Sequence, residues 1–267
     1  MRLLLTSDLH RDGAKLLWLL EEAPAHDALL VAGDLLDIFS NTSLEDQKTG
    51  TLRWMQLVQD AGKSFAWCSG NHDFFYGERT PMSGASPLWM KESPSSATFV
   101  TDGESRLLEA GGEKIAITTL PWPVRYDLFR DGYRTTYIDF NFVKNLLRVG
   151  KRLKAEACVP WIILFHEPPE GTPLSATSVS PEEDFSRRII EAAEPDFSLH
   201  GHMHQAPTNP GGSWIWKTGK TVCFNSGQSE CNEPLQYILL ECRAPGDWTA
   251  IWHGNGRILR ANSPGAH

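Results

Sequence analysis

The chain has 267 residues, 41% hydrophobic and 22% charged, with a net charge of −8 at pH 7. That length fits one sizeable domain with a filled core, and the composition excludes a fibrous, low-complexity or disordered protein. The acidic balance disfavours a nucleic-acid-coating protein, whose footprint is a basic patch, but leaves room for an enzyme acting on phosphates, because bound divalent ions reverse the local sign.

Met1-Arg2-Leu3-Leu4-Leu5 opens like a leader, but Asp8 and His10 end its apolar run early, so it reads as a first strand, Leu3 to Thr6. Ala14 to Glu22 carries Leu16, Leu17, Leu19 and Leu20 at helical spacing, and Ala28 to Ala32 is a second apolar run. Strand, helix, strand is the unit of a buried parallel pairing. A second helix is expected over Leu44 to Ala61, with Gly62 after its end, and a third strand over Ser64 to Ser69. Tyr76 to Ser96 is rich in Gly, Pro and Ser and reads as a long surface loop. Short strands around Gly111-Gly112 occupy residues 98 to 119, and Pro121-Trp122-Pro123 opens a second irregular stretch to residue 135. Helices follow over Asp139 to Ala157 and Pro181 to Ala193, with strands over Trp161 to Phe165 and Asp196 to Leu199. From Val222 to Trp252 strands and turns alternate. One domain is expected over residues 1–260, with irregular insertions over the site within 76–135 and a loose tail over 261–267.

Five cysteines (Cys68, Cys158, Cys223, Cys231, Cys242) are scattered without a Cys-x-x-Cys pair. They read as reduced, mostly buried thiols of a cytoplasmic protein, with a Cys223–Cys242 bridge as the minor alternative. No segment approaches the length of a membrane span.

Five polar motifs each follow a predicted strand: Asp8-Leu9-His10, Gly33-Asp34, Gly70-Asn71-His72-Asp73, His166, and Gly201-His202-Met203-His204. Singly, each has an ordinary explanation, since Asp favours turns and caps. Gly201 to His204 is read as an extended segment placing two imidazoles on one side, with His200 as a third alternating histidine. Jointly the five supply oxygen and nitrogen ligands at the strand edge where α/β sheets bind ligands. Such a set is suited to two adjacent metal ions that hydrolyse phosphate esters.

At these motifs the sequence resembles the calcineurin-like metallophosphoesterase superfamily, in outline over residues 3 to 227. The resemblance implies an α/β fold in four α-β-β-α layers, two mixed sheets flanked by helices, with a dimetal site at the strand C-terminal ends. Carried over by position, it implies Asp8, His10 and His204 on one metal, Asn71, His166 and His202 on the other, and Asp34 bridging. Carboxylates and imidazoles without thiolate suit Mn, Fe, Zn or Co. Two ions roughly 3.5–4 Å apart share a water, and in-line attack by a metal-bridging hydroxide on phosphorus is the expected reaction. His72 is the expected general acid for the leaving group. Asp37 either orients that imidazole or caps its loop.

Ser/Thr protein phosphatases of the superfamily carry Arg after the second acid of Gly-Asp-x-x-Asp and Glu after Asn-His; here Ile38 and Asp73 stand there, which disfavours that branch. His166-Glu167-Pro168-Pro169 resembles the His-His-Pro-Pro of the cyclic-nucleotide phosphodiesterase-like branch, departing at Glu167, and Asn225-Ser226-Gly227 resembles its closing Asn-x-Gly turn. A phosphodiesterase for a small, nucleotide-like phosphate ester is therefore expected. A phosphomonoesterase or nuclease on the same site and a non-catalytic scaffold are the alternatives, with neither membrane nor nucleic acid expected as partner. Arg125, Arg130 and Arg134 are candidates to grip a phosphate, or are plain surface charges. Phe75, Tyr76 and Trp122 are candidates to stack on a ring, or simply pack. Oligomeric state has no sequence signal.

Overall fold

Alternation within the strands sets up the layering. In β1 (Arg2–Thr6), Leu3 and Leu5 point to one core cluster and Leu4 to another, as successive side chains of a strand must. The computed structural model describes residues 1–74, 86–122, 125–128, 133–136, 140–175, 185–228, 234–244 and 246–263, with 125–128, 133–136 and Phe140 described by backbone alone.

Helix α1 (Gly13–Glu21) starts at Asp12, whose carboxylate accepts from the N–H groups of Ala14 and Lys15. After β2 (Ala28–Ala32), helix α2 (Leu44–Asp60) starts at Ser43, which accepts from Asp46 N–H. Both helices lay their apolar stripes on one face of the sheet: Leu16, Leu19, Trp54, Met55 and Val58 pack with Leu4, Leu29 and Val31. Strands β3 (Ser64–Cys68) and β4 (Phe99–Val100) pair in parallel, and β5 (Ser105–Ala110) pairs antiparallel with β6 (Glu113–Leu120). A hairpin, β7 (Arg125–Leu128) with β8 (Tyr133–Thr136), precedes α3 (Phe140–Ala157) and β9 (Trp161–Phe165). Helix α4 (Phe185–Ala193), β10 (Phe197–His200), β11 (Ile215–Thr218) and β12 (Thr221–Asn225) come next. Strands β13 (Tyr237–Ala244), β14 (Asp247–Gly254) and β15 (Arg257–Asn262) close the chain as a meander.

Two mixed sheets result. One runs β15-β14-β13-β1-β2-β3-β4 and the other β11-β12-β10-β9-β6-β5. Leu3, Leu30 and Ala66 from the first sheet meet Ile117, Ile162 and Leu199 from the second in the central core. The second sheet's other face, with Trp161, Ile163 and Phe165, packs under Val143, Leu146, Ile189 and Ile190 of α3 and α4. These are the four layers that the family resemblance implied. Strands β1, β2 and β3 are parallel to one another, as are β9 and β10. Their C-terminal ends therefore open at one edge of each sheet.

Four expectations need correction. Residues 121–135 are not wholly irregular, because Arg125–Leu128 pairs with Tyr133–Thr136. The stretch to Ser96 is not all surface loop: Leu88–Glu92 forms a 3-10 turn that buries Trp89, whose indole N–H bonds the Asp73 carbonyl at 2.8 Å. Residues 75–85 lie outside the described residues. Residues 261–263 are not a loose tail: Ala261 and Asn262 pair with β14, and Ser263 N–H bonds Trp248 O at 3.0 Å; residues 264–267 lie outside the described residues. Lastly, Gly201 to His204 is not an extended strand but a turn, with His202 at φ +65°.

Candidate metal centre

All five motifs emerge from strand ends. Asp8 follows β1, Asp34 follows β2, Asn71 and His72 follow β3, His166 follows β9, and His202 and His204 follow β10. Backbone bonds lock the first two loops together: Asp8 N–H to Gly33 O at 3.0 Å and His10 N–H to Asp34 O at 2.9 Å. Gly201 N–H bonds His166 O at 2.9 Å, joining the two loops of the other sheet. Asp8, His10, Asp34 and His202 adopt left-handed φ of 53°, 45°, 54° and 65°. Each such non-glycine residue costs on the order of 1 kcal/mol, and strain gathered on candidate ligands marks a built site.

The side chains converge. Ligand atoms of Asp8, His10, Asp34 and His204 all lie within 4.8 Å of one another. His204 Nε2 is 3.0 Å from Asp8 Oδ1, and the Nε2 atoms of His10 and His204 face each other at 3.1 Å. His166 Nε2 is 3.1 Å from Asp34 Oδ2 and 3.2 Å from Asn71 Oδ1, which lies 2.9 Å from His202 Nδ1. The sequence-predicted ligands thus form one continuous cluster around Asp34 and Asp8. Beside it His72 packs edge-on against His10, ring centroids 4.5 Å apart, with Asp37 Oδ1 3.4 Å from its Nδ1.

Asp8 and Asp34 are buried, and among the described residues no Lys or Arg pairs with either. Buried carboxylates require compensating positive charge. Burial alone would raise both pKa values, but the neighbouring histidines, His166 foremost, outweigh it and hold both carboxyls below their ordinary value. Desolvation pushes His166 down, yet Asp34 and Asp8 overcome it and push it up to about 10. In the metal-free chain a proton is the cation the carboxylates recruit. Burial lowers His10, and burial with the His166 charge lowers His202 to about 4, so both present lone pairs. His166 donates from Nδ1 to Ala32 O at 2.7 Å, which orients Nε2 towards the cluster. Oxygen and imidazole donors around buried carboxylates that have no Lys or Arg partner among the described residues fit divalent metal ions.

Several residues support the cluster in ways the sequence did not assign, Gly70, Asp73, Asn225 and Trp122 from within its motifs and Asp102 from outside them. Asp73 accepts from the N–H groups of Asp34, Leu36 and Gly70 at 3.0, 3.0 and 2.8 Å, pinning the β2 and β3 loops to each other. Gly70 matters through close approach: a Cβ there would strike the Asp34 carboxylate and its backbone N. The Asn225 amide donates to Leu174 O, Gly201 O and Met203 O, holding the turn that carries His202. Asp102, buried at the end of β4, accepts from Ser69 N–H at 2.8 Å and Ser69 Oγ at 3.0 Å. Ser69 Oγ in turn accepts from Trp122 N–H at 2.9 Å, and Trp122 lies against the rings of His166 and His202. Trp122 therefore packs on the cluster, one of the two roles its sequence position allowed.

His200 does not join the cluster. It is buried and bonded to Phe165 O, Glu167 O and Ser198 Oγ, a structural histidine. Arg125 and Arg134 lie in the β7–β8 hairpin, while Phe75, Tyr76 and Arg130 lie outside the described residues. A cleft of about 370 Å³ opens over the cluster, lined by Asp34, Asn71, His72, His202, His204 and Asn209 among others.

Comparison with known proteins follows the same line. The protein TT1561 of Thermus thermophilus is similar in structure at 15% identity, with a TM-score of 0.55 and 98% of each chain covered, which shows the fold. A metallophosphoesterase from Sphaerobacter thermophilus is more distant (15% identity, TM-score 0.33, 99% of this chain and 88% of that one). So is Vps29 complexed with zinc from Entamoeba histolytica (12% identity, TM-score 0.36, 98% of each chain). A comparison with curated proteins gave no match. The model of the calcineurin-like phosphoesterase family matches residues 1–206, a span that takes in every one of the five motifs, and the chain belongs to that family.

Proposed function

We propose that the protein is a dimetal-dependent hydrolase of phosphate esters, and specifically a phosphodiesterase for a small, nucleotide-like substrate. Family membership supports a metal-dependent hydrolase, although some members are non-catalytic. The observation that carries the catalytic reading is the convergence of the full ligand set, with two buried carboxylates uncompensated by Lys or Arg among the described residues.

In this reading Asp8, His10 and His204 would hold one ion, Asn71, His166 and His202 the other, and Asp34 would bridge. Two divalent ions, when bound, supply Lewis acidity and make a water acidic enough to ionise near neutral pH. The protein's own contribution lies in charge and orientation. Asp8 and Asp34 set the negative potential, while Asp73 and Asn225 fix the loops, so that little reorganisation is needed on binding.

His72 serves as proton donor to the leaving oxygen. Its Nδ1 is 3.3 Å from Ile38 N, which donates to it, and 3.4 Å from Asp37 Oδ1, which can accept from it. A neutral ring accepts from Ile38 and carries its proton on Nε2; a doubly protonated ring donates to Asp37. Both charge states have a partner at Nδ1, and Nε2 is left for the substrate. Asp37 is thus a positioning residue. A reducing, cytoplasmic setting fits the free, buried thiols of Cys68, Cys223 and Cys242; Cys231 lies outside the described residues. No described helix is long and apolar enough to cross a membrane.

The test is hydrolysis of bis(p-nitrophenyl) phosphate and p-nitrophenyl phosphate by metal-stripped protein with Mn²⁺ restored, beside Asp34→Ala. Metal-dependent release from the diester, lost in Asp34→Ala, is the expected result. Preference for the monoester would replace the phosphodiesterase with a phosphatase. Silence on both esters across Mn²⁺, Zn²⁺ and Co²⁺, with metal bound, would favour the scaffold.

A further inference from the structure

Phe39 is 81% exposed, the most exposed of the large hydrophobic side chains among the described residues. A lone exposed aromatic is ordinary on a protein surface. This one is neither loose nor remote. Its ring lies 5.2 Å from that of His72 at 81°, edge against face, and its backbone N–H bonds Asp37 Oδ1 at 2.9 Å.

The loop beneath it is tied down from below. Gln47, fully buried in α2, accepts from Asp37 N–H at 2.8 Å and donates to Asp37 O and Thr42 O at 2.8 and 3.0 Å. Ile38 N–H, one peptide before Phe39, bonds the His72 ring itself. The backbone that carries Phe39 is therefore fixed, and its ring rests against the proposed proton donor while most of its surface stays in water. Fixing an apolar face in advance lowers the entropic cost of binding against it.

A proton donor defines where the leaving group departs. If His72 Nε2 protonates the leaving oxygen, the substituent on that oxygen sits beside the His72 ring, where among the described residues Phe39 presents an exposed apolar ring in contact with it. We propose that Phe39 is a specificity-determining residue, a platform that selects phosphate esters whose leaving group is a planar apolar or heteroaromatic ring. The inference rests on the hydrolase reading above and adds the leaving-group class to it.

The experiment uses the Mn²⁺-loaded full chain and two leaving groups of similar acidity, phenol and hexafluoroisopropanol. Each is presented as its methyl diester and as its monoester, so the selectivity is readable for either ester class. The quantity read is the aryl-to-alkyl ratio of kcat/KM in wild type, Phe39→Ala, Phe39→Leu and Phe39→Trp. Wild type is expected to favour the aryl ester, with the ratio falling about tenfold in Phe39→Ala, less in Phe39→Leu, and being kept or raised in Phe39→Trp. An unchanged ratio in Phe39→Ala, with circular dichroism and Tm intact, overturns the platform while leaving the hydrolase reading standing. Hydrolysis of none of the esters by wild type overturns both.

Discussion

At Asp102 a carboxyl group sits in surroundings that favour its neutral form. Burial raises its pKa from 3.8 to about 6, against the pull of the Ser69 hydrogen bonds. Between those values the folded chain keeps a proton that the unfolded chain has released, so stability falls as pH rises through that window. The difference corresponds to about 3 kcal/mol. Asp102→Asn, which cannot ionise, is expected to gain stability relative to wild type by up to that amount between pH 4 and pH 7. Urea denaturation of both metal-stripped proteins at the two pH values measures it; a constant cost of the amide shifts both readings alike, and a pH-independent difference would contradict the assignment. His72 makes the second residue-level prediction. His72→Asn is expected to keep metal content by elemental analysis, yet lose about 10²–10⁴-fold in kcat on esters with alkyl leaving groups. On p-nitrophenyl esters the loss is expected to be far smaller, because p-nitrophenolate departs without a proton. Equal losses on both would remove His72 from the acid role. The residue types of the cluster were legible in sequence because Asp, His and Asn recur after apolar runs. The left-handed backbone of Asp8, His10, Asp34 and His202 was not, since it depends on the neighbouring loop that each must meet.

At the scale of elements, the close approach of two strand-end loops decides whether the ligands meet. Asp73 staples them by three backbone N–H groups, and Gly70 lets Asp34 pass within contact. Gly70→Ala is expected to push the β3 loop away from the β2 loop. Far-UV circular dichroism should stay native, while Mn²⁺ affinity by isothermal titration falls about tenfold or more, as is typical when support around a metal site is removed. Unaltered affinity would show that the loops relax freely. Most strands and helices were legible to within a residue or two, because β1, β2, β3 and β9 are continuous apolar runs and α1 and α2 have strong caps. The β7–β8 hairpin, β11 and β15 were not. Their residues lack a run of apolar alternation, and pairing with a neighbour makes them strands. His200 illustrates a related limit: in sequence it simply alternates with His202 and His204, and its burial against Phe165 O and Glu167 O is what shows it to be structural.

Over the whole molecule, the metal cluster draws from both sheets, with Asp8, Asp34 and Asn71 from one and His166, His202 and His204 from the other. Metal should therefore stabilise the stacking of the sheets as well as the loops. Saturating Mn²⁺ at about 100 times its dissociation constant is expected to add about 2.7 kcal/mol. For a chain of this size that raises Tm by roughly 5–10 °C, with the shift lost in Asp34→Ala; calorimetry with and without metal reads it directly. A shift that survives Asp34→Ala would place the stabilising metal elsewhere. What the sequence by itself determined was the order of strands and helices and the chemical types gathered at strand ends, because both follow from local hydrophobic period and turn chemistry. What only the tertiary structure decided was which of those residues meet. Asp8 and His204, nearly two hundred positions apart, touch because two sheets share one core. The buried carboxylates that give the site its charge become costly, and so informative, only once that core has excluded water from around them.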